Sequence, residues 1–145
     1  MTADADKQDL ADYQYLIALI YYSNLHRYSD ARTYARLSLE TKPNQGRCYN
    51  LIGLCYASSN PYSNSDYPAA KAAILNKTAF WAAVDQFQKA KQYEDCAEDA
   101  AKLIASYSKY FPTKEEMFDL PGEFGSGTFI VGGWINGKTT CRAAK

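Results

Sequence analysis

The chain has 145 residues, enough for one domain with a modest core and too few for two. Lysine plus arginine and aspartate plus glutamate both number 16, and no run of like charge is longer than a pair. That excludes nucleic acid or an anionic lipid surface as the main partner, because each needs a basic patch. The longest apolar run, "YLIALIYY" at 15–22, is too short to span a bilayer, and "MTADADKQDLADYQ" has neither the basic start nor the apolar core of a secretory signal. The chain is therefore expected to be soluble and not inserted in a membrane, with any export signal upstream of these residues.

In chain order, the first element is a helix whose residues recur later. Placing 13–45 over 47–60 sets Tyr15 over Tyr49, Ala18 over Ile52, Leu19 over Gly53 and Tyr22 over Tyr56, each 34 residues apart. A period of that length marks a repeat in which each unit buries its apolar face against the next. Small residues such as Ala18, Ala31 and Gly53 let antiparallel helices approach closely, and the four tyrosines fill the space between them.

These residues resemble the tetratricopeptide repeat, a 34-residue helix–turn–helix unit. Tyr49-x2-Ile52-Gly53-x2-Tyr56 matches the first-helix pattern almost unaltered, and Tyr28, Ala31, Leu39 and Pro43 fit the second helix and its closing position. Ala35 stands where the pattern usually has an aromatic. The second helix of copy two arrives late: Ala83-x3-Phe87 lies 52 residues after Ala31, the period plus an insertion of 18. The inserted chain, near 58–78, opens with the turn dipeptide Asn60-Pro61 and resumes helix after Pro68, which predicts a loop of about eight residues and then a lengthened helix. An amphipathic helix over 94–110 follows, with Cys96, Ala100, Leu103, Ile104 and Tyr107 on one face.

Pro112 stops that helix, and Thr113 with Glu116 forms a T-x-x-E capping box that starts a short one. Composition then changes, six of the eight glycines lying between Gly122 and Gly137. "GTFIVGGWI", the turn dipeptide Asn136-Gly137 and "KTTCRA" predict a β-hairpin. A two-residue turn there sets Ile135 opposite Lys138, Trp134 opposite Thr139 and Val131 opposite Arg142. Phe129, Val131 and Ile135 then share one face and Ile130, Trp134 and Cys141 the other. The expected fold is thus mainly α, with antiparallel helix pairs of tetratricopeptide type, about five helices plus a short one, and a C-terminal β-hairpin. Residues 1–112 form the helical part, with repeat one at 12–45, repeat two at 46–91 and an end helix at 94–110; residues 113–145 form a cap.

The ending, "YFPTKEEMF" followed by a glycine-rich segment and "VGGWINGKTTCR", is similar to the C-terminal end of a group of tetratricopeptide-repeat proteins of Bacteroidetes bacteria, and "AFWAAVDQFQKAK" (79–91) resembles the stretch before it. The resemblance implies a C-terminal piece of a longer cell-envelope protein, periplasmic or otherwise envelope-associated. It implies no biochemical activity.

No constellation points to catalysis, a metal or a cofactor. His26, the single histidine, falls in the turn after the first helix. Asp85, Glu94, Asp95, Glu98 and Asp99 are spaced as solvated helix positions. The glycines of "GEFGSGTFIVGG" precede a strand, whereas a phosphate cradle precedes a helix. Asn76-Lys77-Thr78 fits the glycosylation pattern but lies in a predicted helix. The four cysteines form no metal-binding spacing and are expected to be buried apolar thiols.

The chain is therefore expected to be non-enzymatic, a scaffold that binds a protein or peptide partner in the groove formed by the first helix of each repeat. By the register above that groove is lined by Tyr13, Leu16, Ile20, Ser23 and Asn24 in copy one and by Arg47, Asn50, Leu54, Ala57 and Ser58 in copy two. Leu16 and Ile20 could instead pack on a further repeat. Two other readings stand beside this one: a small-molecule or glycan site using Trp81, Trp134 and nearby tyrosines, and a structural subunit whose hairpin donates an edge strand to a neighbour.

Overall fold

The computed structural model describes residues 3–144. The chain is mainly helical and ends in a short two-stranded antiparallel hairpin. The helices are α1 (Ala3–Ser23), α2 (Tyr28–Thr41), α3 (Gly46–Ser58), α4 (Ala69–Lys77), α5 (Ala79–Ala90), α6 (Glu94–Ser108), α7 (Lys114–Phe118) and α8 (Pro121–Phe124); the strands are β1 (Thr128–Val131) and β2 (Gly137–Thr140). The five main helices and the short one follow the predicted order, while the single turn of α8 carried no sequence signal. The helix after the insertion comes as α4 and α5, separated by Thr78 alone, whose backbone stays helical at φ −65° and ψ −22°.

Each main helix packs on its neighbour, α1 on α2, α2 on α3, α3 on α5 and α5 on α6. Small residues set the spacing. Ala11 and Ala18 of α1 and Ala31 and Ala35 of α2 are fully buried, and the buried Ser38 hydroxyl donates to the Ala11 carbonyl at 2.7 Å. Between α3 and α5, a Cβ at Gly53 would lie 2.4 Å from Cε1 of the buried Phe87. α2 and α3 are joined through Gln45, whose amide donates to the Ser38 and Lys42 carbonyls at 2.8 and 2.7 Å and so satisfies the end of α2.

The capping box of α7 forms as the sequence predicts, with Glu116 N–H donating to the Thr113 hydroxyl and Thr113 N–H to the Glu116 carboxylate. Lys77 of α4 reaches the same carboxylate at 2.6 Å. Burial pushes the Glu116 carboxyl up, but the Lys77 ammonium and the Thr113 donors outweigh it and hold the group below its ordinary value.

The hairpin differs from its predicted register. Thr128 faces Thr140, Phe129 faces Thr139, Ile130 faces Lys138 and Val131 faces Gly137, so residues 132–136 form a five-residue connection and Asn136-Gly137 is not a two-residue turn. Asn136 does adopt the left-handed backbone expected of a turn asparagine, at φ 44°. The reason for the change is tertiary. Arg32 of α2 donates to the carbonyls of Trp134 and Ile135 at 2.8 and 2.9 Å and to the Tyr56 hydroxyl at 3.2 Å, while its guanidinium stacks 4.8 Å from the Trp134 ring centroid. The Gly132 N–H donates to the hydroxyl of Tyr62, in the 59–68 loop, at 2.8 Å. Gly133 sits at φ 63° against Pro61, where a Cβ would come within 2.7 Å of the Pro61 carbonyl oxygen. A two-residue turn would draw residues 132–135 into the strands and break all of these contacts. Val131, Thr139 and partly Phe129 face inward, Ile130 faces solvent, and Ile135 is buried from the loop.

On the inner face, the fully buried Trp81 donates from Nε1 to the Arg142 carbonyl at 2.8 Å and meets Phe124 and Phe129 edge-on. Asp85 accepts from the Thr139 hydroxyl and from Arg142, at 2.5 and 2.9 Å. The hairpin thus closes over α5, as a two-stranded sheet must if it is to be stable.

Two outcomes follow. Gly53→Ala is expected to lower stability by about 1–3 kcal/mol in urea unfolding, because the clash with Phe87 outweighs the helix-propensity gain of about 1 kcal/mol; a stabilised variant would contradict the α3–α5 approach. Arg32→Met is expected to cost about 2–3 kcal/mol, from charge-assisted hydrogen bonds lost to a half-buried carbonyl pair. In hydrogen exchange it should speed the amides of 128–140 well before those of α5.

Candidate functional site

A cleft of about 440 Å³ opens between α1, α3 and α6. Tyr15, Leu19 and Tyr22 of α1 form one wall and Cys96, Asp99, Lys102 and Leu103 of α6 the other, while Arg47, Asn50, Leu51 and Leu54 of α3 form the floor. The surface is largely apolar with a few polar groups converging on it, the usual make-up of a ligand cleft.

Each polar group has a definite environment. Arg47 is held by Asp12 at 2.7 Å and by the Gln45 side-chain oxygen, and its guanidinium lies 4.3 Å from the Tyr15 ring centroid. Its hydrogen bond holds the Asp12 carboxyl below the ordinary aspartate value, and burial pushes the Tyr15 phenol up. Lys102 pairs with Glu98 on the exposed side of α6. Asn50 stands apart: its side-chain oxygen is buried and has no hydrogen-bond partner. An unpaired buried polar atom costs about 1–3 kcal/mol, and most native structures avoid it.

Of the residues predicted to line the groove, the structure brings Arg47, Asn50 and Leu54 together on the cleft floor. Tyr13, Leu16 and Ile20 lie elsewhere, exposed on α1 and outside the cleft, and Asn24 is exposed in the turn just beyond its end. At about 100° per residue, Tyr13 and Ile20 point roughly 150° and 130° away from the mean direction of Tyr15, Leu19 and Tyr22. Ser23 also stays exposed, its hydroxyl donating to the Leu19 carbonyl. The α1 wall is built instead from residues the period had assigned to packing between helices.

The α6 wall was missed although a signal for it existed. The 52-residue step from Ala31 to Ala83, the period plus the insertion, also leads from Arg47, Asn50 and Leu51 to Asp99, Lys102 and Leu103, and from buried Cys48 to buried Ala100. Applied to the end helix, that step marks it as the counterpart of α3.

Trp81 is wholly buried and Trp134 is half-buried under Arg32, so neither offers an open ring face as a ligand platform. His26 is exposed at φ 51° in the turn after α1. The Asn76 side chain accepts the Tyr62 N–H at 2.8 Å and so braces the inserted loop. Among the described residues no group of His, Cys, Asp and Glu is placed to hold a metal ion, and no helix is long and apolar enough to cross a membrane. No protein-family model, curated protein or solved structure matches the chain.

The four cysteines are free thiols, Cys48 and Cys55 buried and Cys96 and Cys141 partly so. Burial raises all four, and Cys55 is pushed up to about 12. None has the lowered value that makes a thiol nucleophilic at neutral pH. Alkylation of the native protein near pH 8, read by mass spectrometry, is expected to modify Cys96 and Cys141 first and to reach Cys48 and Cys55 only as fast as the chain unfolds. Rapid modification of Cys55 would contradict its burial.

Proposed function

We propose that this chain is a non-enzymatic docking module of tetratricopeptide type that holds a peptide segment of a protein partner in the cleft between α1, α3 and α6. The 34-residue spacing, the helix-on-next-helix packing and the shared cleft of alternate helices support the repeat reading. By the resemblance of its ending, the module belongs to a larger assembly of a bacterial cell envelope.

The observation that carries the docking reading is the largely apolar cleft of about 440 Å³ with Arg47 and Asn50 on its floor; the Asn50 oxygen itself is buried and unpaired, so a bound segment meets it once the side chain turns into the cleft. A side-chain amide can accept a peptide N–H and donate to a peptide carbonyl, so it reads backbone independently of sequence. The apolar walls supplied by Tyr15, Leu19, Tyr22, Leu54 and Leu103 suit apolar side chains of an extended or helical segment, and Arg47 with Asp99 and Lys102 supplies charge of both signs.

Peptides selected from a random display library against the whole chain are expected to bind in this cleft. Arg47→Ala with Asn50→Ala should weaken them about 10- to 100-fold, the worth of one or two hydrogen bonds, while leaving the helical circular dichroism unchanged. Lys91→Ala, exposed after α5, should leave affinity unaltered. Selected peptides that bind the double variant as tightly as the native chain would defeat the reading.

A further inference from the structure

Two surfaces lie outside the cleft: an apolar stripe along α1, formed by Tyr13, Leu16, Ile17 and Ile20, and a charged cavity where the hairpin loop meets α2 and α5. Only the second holds groups that select a ligand. It is about 360 Å³ in volume, within the range of small-molecule sites, roughly 300–1,000 Å³. Its α5 side is one helical face, because Ala82, Asp85, Gln86 and Lys89 follow the three- and four-residue spacing of helix neighbours. Arg36 comes from α2, one turn beyond the Arg32 that anchors the hairpin loop, and Ile135 and Lys138 come from the hairpin itself.

Positive charge is in excess there. Arg36, Lys89 and Lys138 are exposed, and none of them meets a carboxylate among the described residues. Lys89 has the Tyr49 ring centroid 5.8 Å from its Nζ, and Lys138 stands at the rim, lining both this cavity and the outer side of the hairpin. The carboxylate in the lining, Asp85, is already occupied: one oxygen accepts from Thr139 and the other from Arg142, which offsets its charge. Cations from three separate elements thus share one cavity without a counter-charge, and their mutual repulsion is relieved when an anion enters it.

A second, independent feature points the same way. Tyr56 lines the cavity and is only 4% exposed. Its hydroxyl oxygen accepts from Arg32 at 3.2 Å, but its own proton is donated to no acceptor among the described residues. A buried donor of this kind calls for an acceptor, and with the Arg32 guanidinium behind it a negatively charged one is favoured.

We propose that this cavity binds the phosphate group of a small phosphate monoester. A phosphate dianion brings three acceptor oxygens and offsets most of the excess charge, whereas a single carboxylate offsets less of it. The planar guanidinium of Arg36 suits two phosphate oxygens at once, and the lysines act as mobile point charges. The cavity is larger than a bare phosphate requires, and Ala82, Ile135 and the Tyr56 ring give apolar surface to a compact organic group.

Isothermal titration calorimetry of the whole chain at pH 8 and constant ionic strength tests this, with phenyl phosphate, inorganic phosphate and acetate as probes. Phenyl phosphate is expected to bind with a dissociation constant on the order of 0.1 mM, inorganic phosphate about 10-fold and acetate about 100-fold more weakly. Arg36→Gln with Lys89→Gln should weaken phenyl phosphate by about 10-fold or more. Lys91→Gln with Lys109→Gln, which removes the same charge from exposed positions outside the cavity, should not. Tyr56→Phe should weaken it several-fold, and its unfolding midpoint without ligand reports any loss of packing separately. Bound phenyl phosphate should also slow hydrogen exchange at 135–140, since a ligand stabilises the state that binds it. Arg47→Ala with Asn50→Ala should leave these results unchanged, so this site and the peptide cleft fail separately. Absence of binding up to about 10 mM, or equal loss in the two lysine-containing double variants, overturns the proposal. Acetate that binds as tightly as phenyl phosphate overturns the phosphate assignment, and inorganic phosphate that does so overturns the ester.

Discussion

The hairpin is the part of this molecule least able to form alone, and Arg32 is the group that determines its shape. Strands of four residues have no independent stability. Their connection is therefore set by whatever the helices offer it. What they offer is a guanidinium on α2 whose donors take two successive loop carbonyls and the Tyr56 hydroxyl, with the Trp134 ring lying over it. That single side chain joins α2, α3 and the loop. The Tyr62 hydroxyl and Pro61 fix the loop's other end, so the insertion after α3 is an integral part of the closure. An 18-residue addition to the repeat period thus has a structural role: it supplies the wall against which the hairpin loop rests.

Much of the fold was legible because it is written in short-range terms. The helices follow apolar periodicity, α7 follows a four-residue capping box, and the close approach of α3 and α5 follows from a glycine beside an aromatic. The hairpin's existence was equally clear from its β-formers and turn residues. Its register was not, because Asn136-Gly137 satisfies local turn chemistry in a two-residue turn, whereas in the structure Asn136 ends a longer loop and Gly137 begins a strand. Local preference was overridden by contacts to residues about 70 and 100 positions away in the chain. No turn rule contains that information.

The candidate site was half legible for a related reason. Arg47, Asn50 and Leu54, read from copy two, lie together on the cleft floor because α3 lies between two other helices and has one surface left to face the cleft. α1 has a packed neighbour on one side only, so its outward residues divide between the cleft and the opposite stripe. The 34-residue spacing cannot separate the two, since positions on α1 and α3 that it equates have different surroundings. Tyr15, Leu19 and Tyr22 form the wall, while Tyr13, Leu16 and Ile20, equivalent by period to Arg47, Asn50 and Leu54, face away.

That division makes α1 the element on which both surfaces depend, and its packing decides whether they can communicate. Its inner side meets α2 through four fully buried alanines and a hydroxyl-to-carbonyl bond, contacts that allow close approach and leave little room for sliding. A helix held this way transmits no rotation from one face to the other unless the alanine interface itself has a second arrangement, and coupling needs such a bistable element. Occupancy of the cleft and contact along the stripe should therefore be energetically independent.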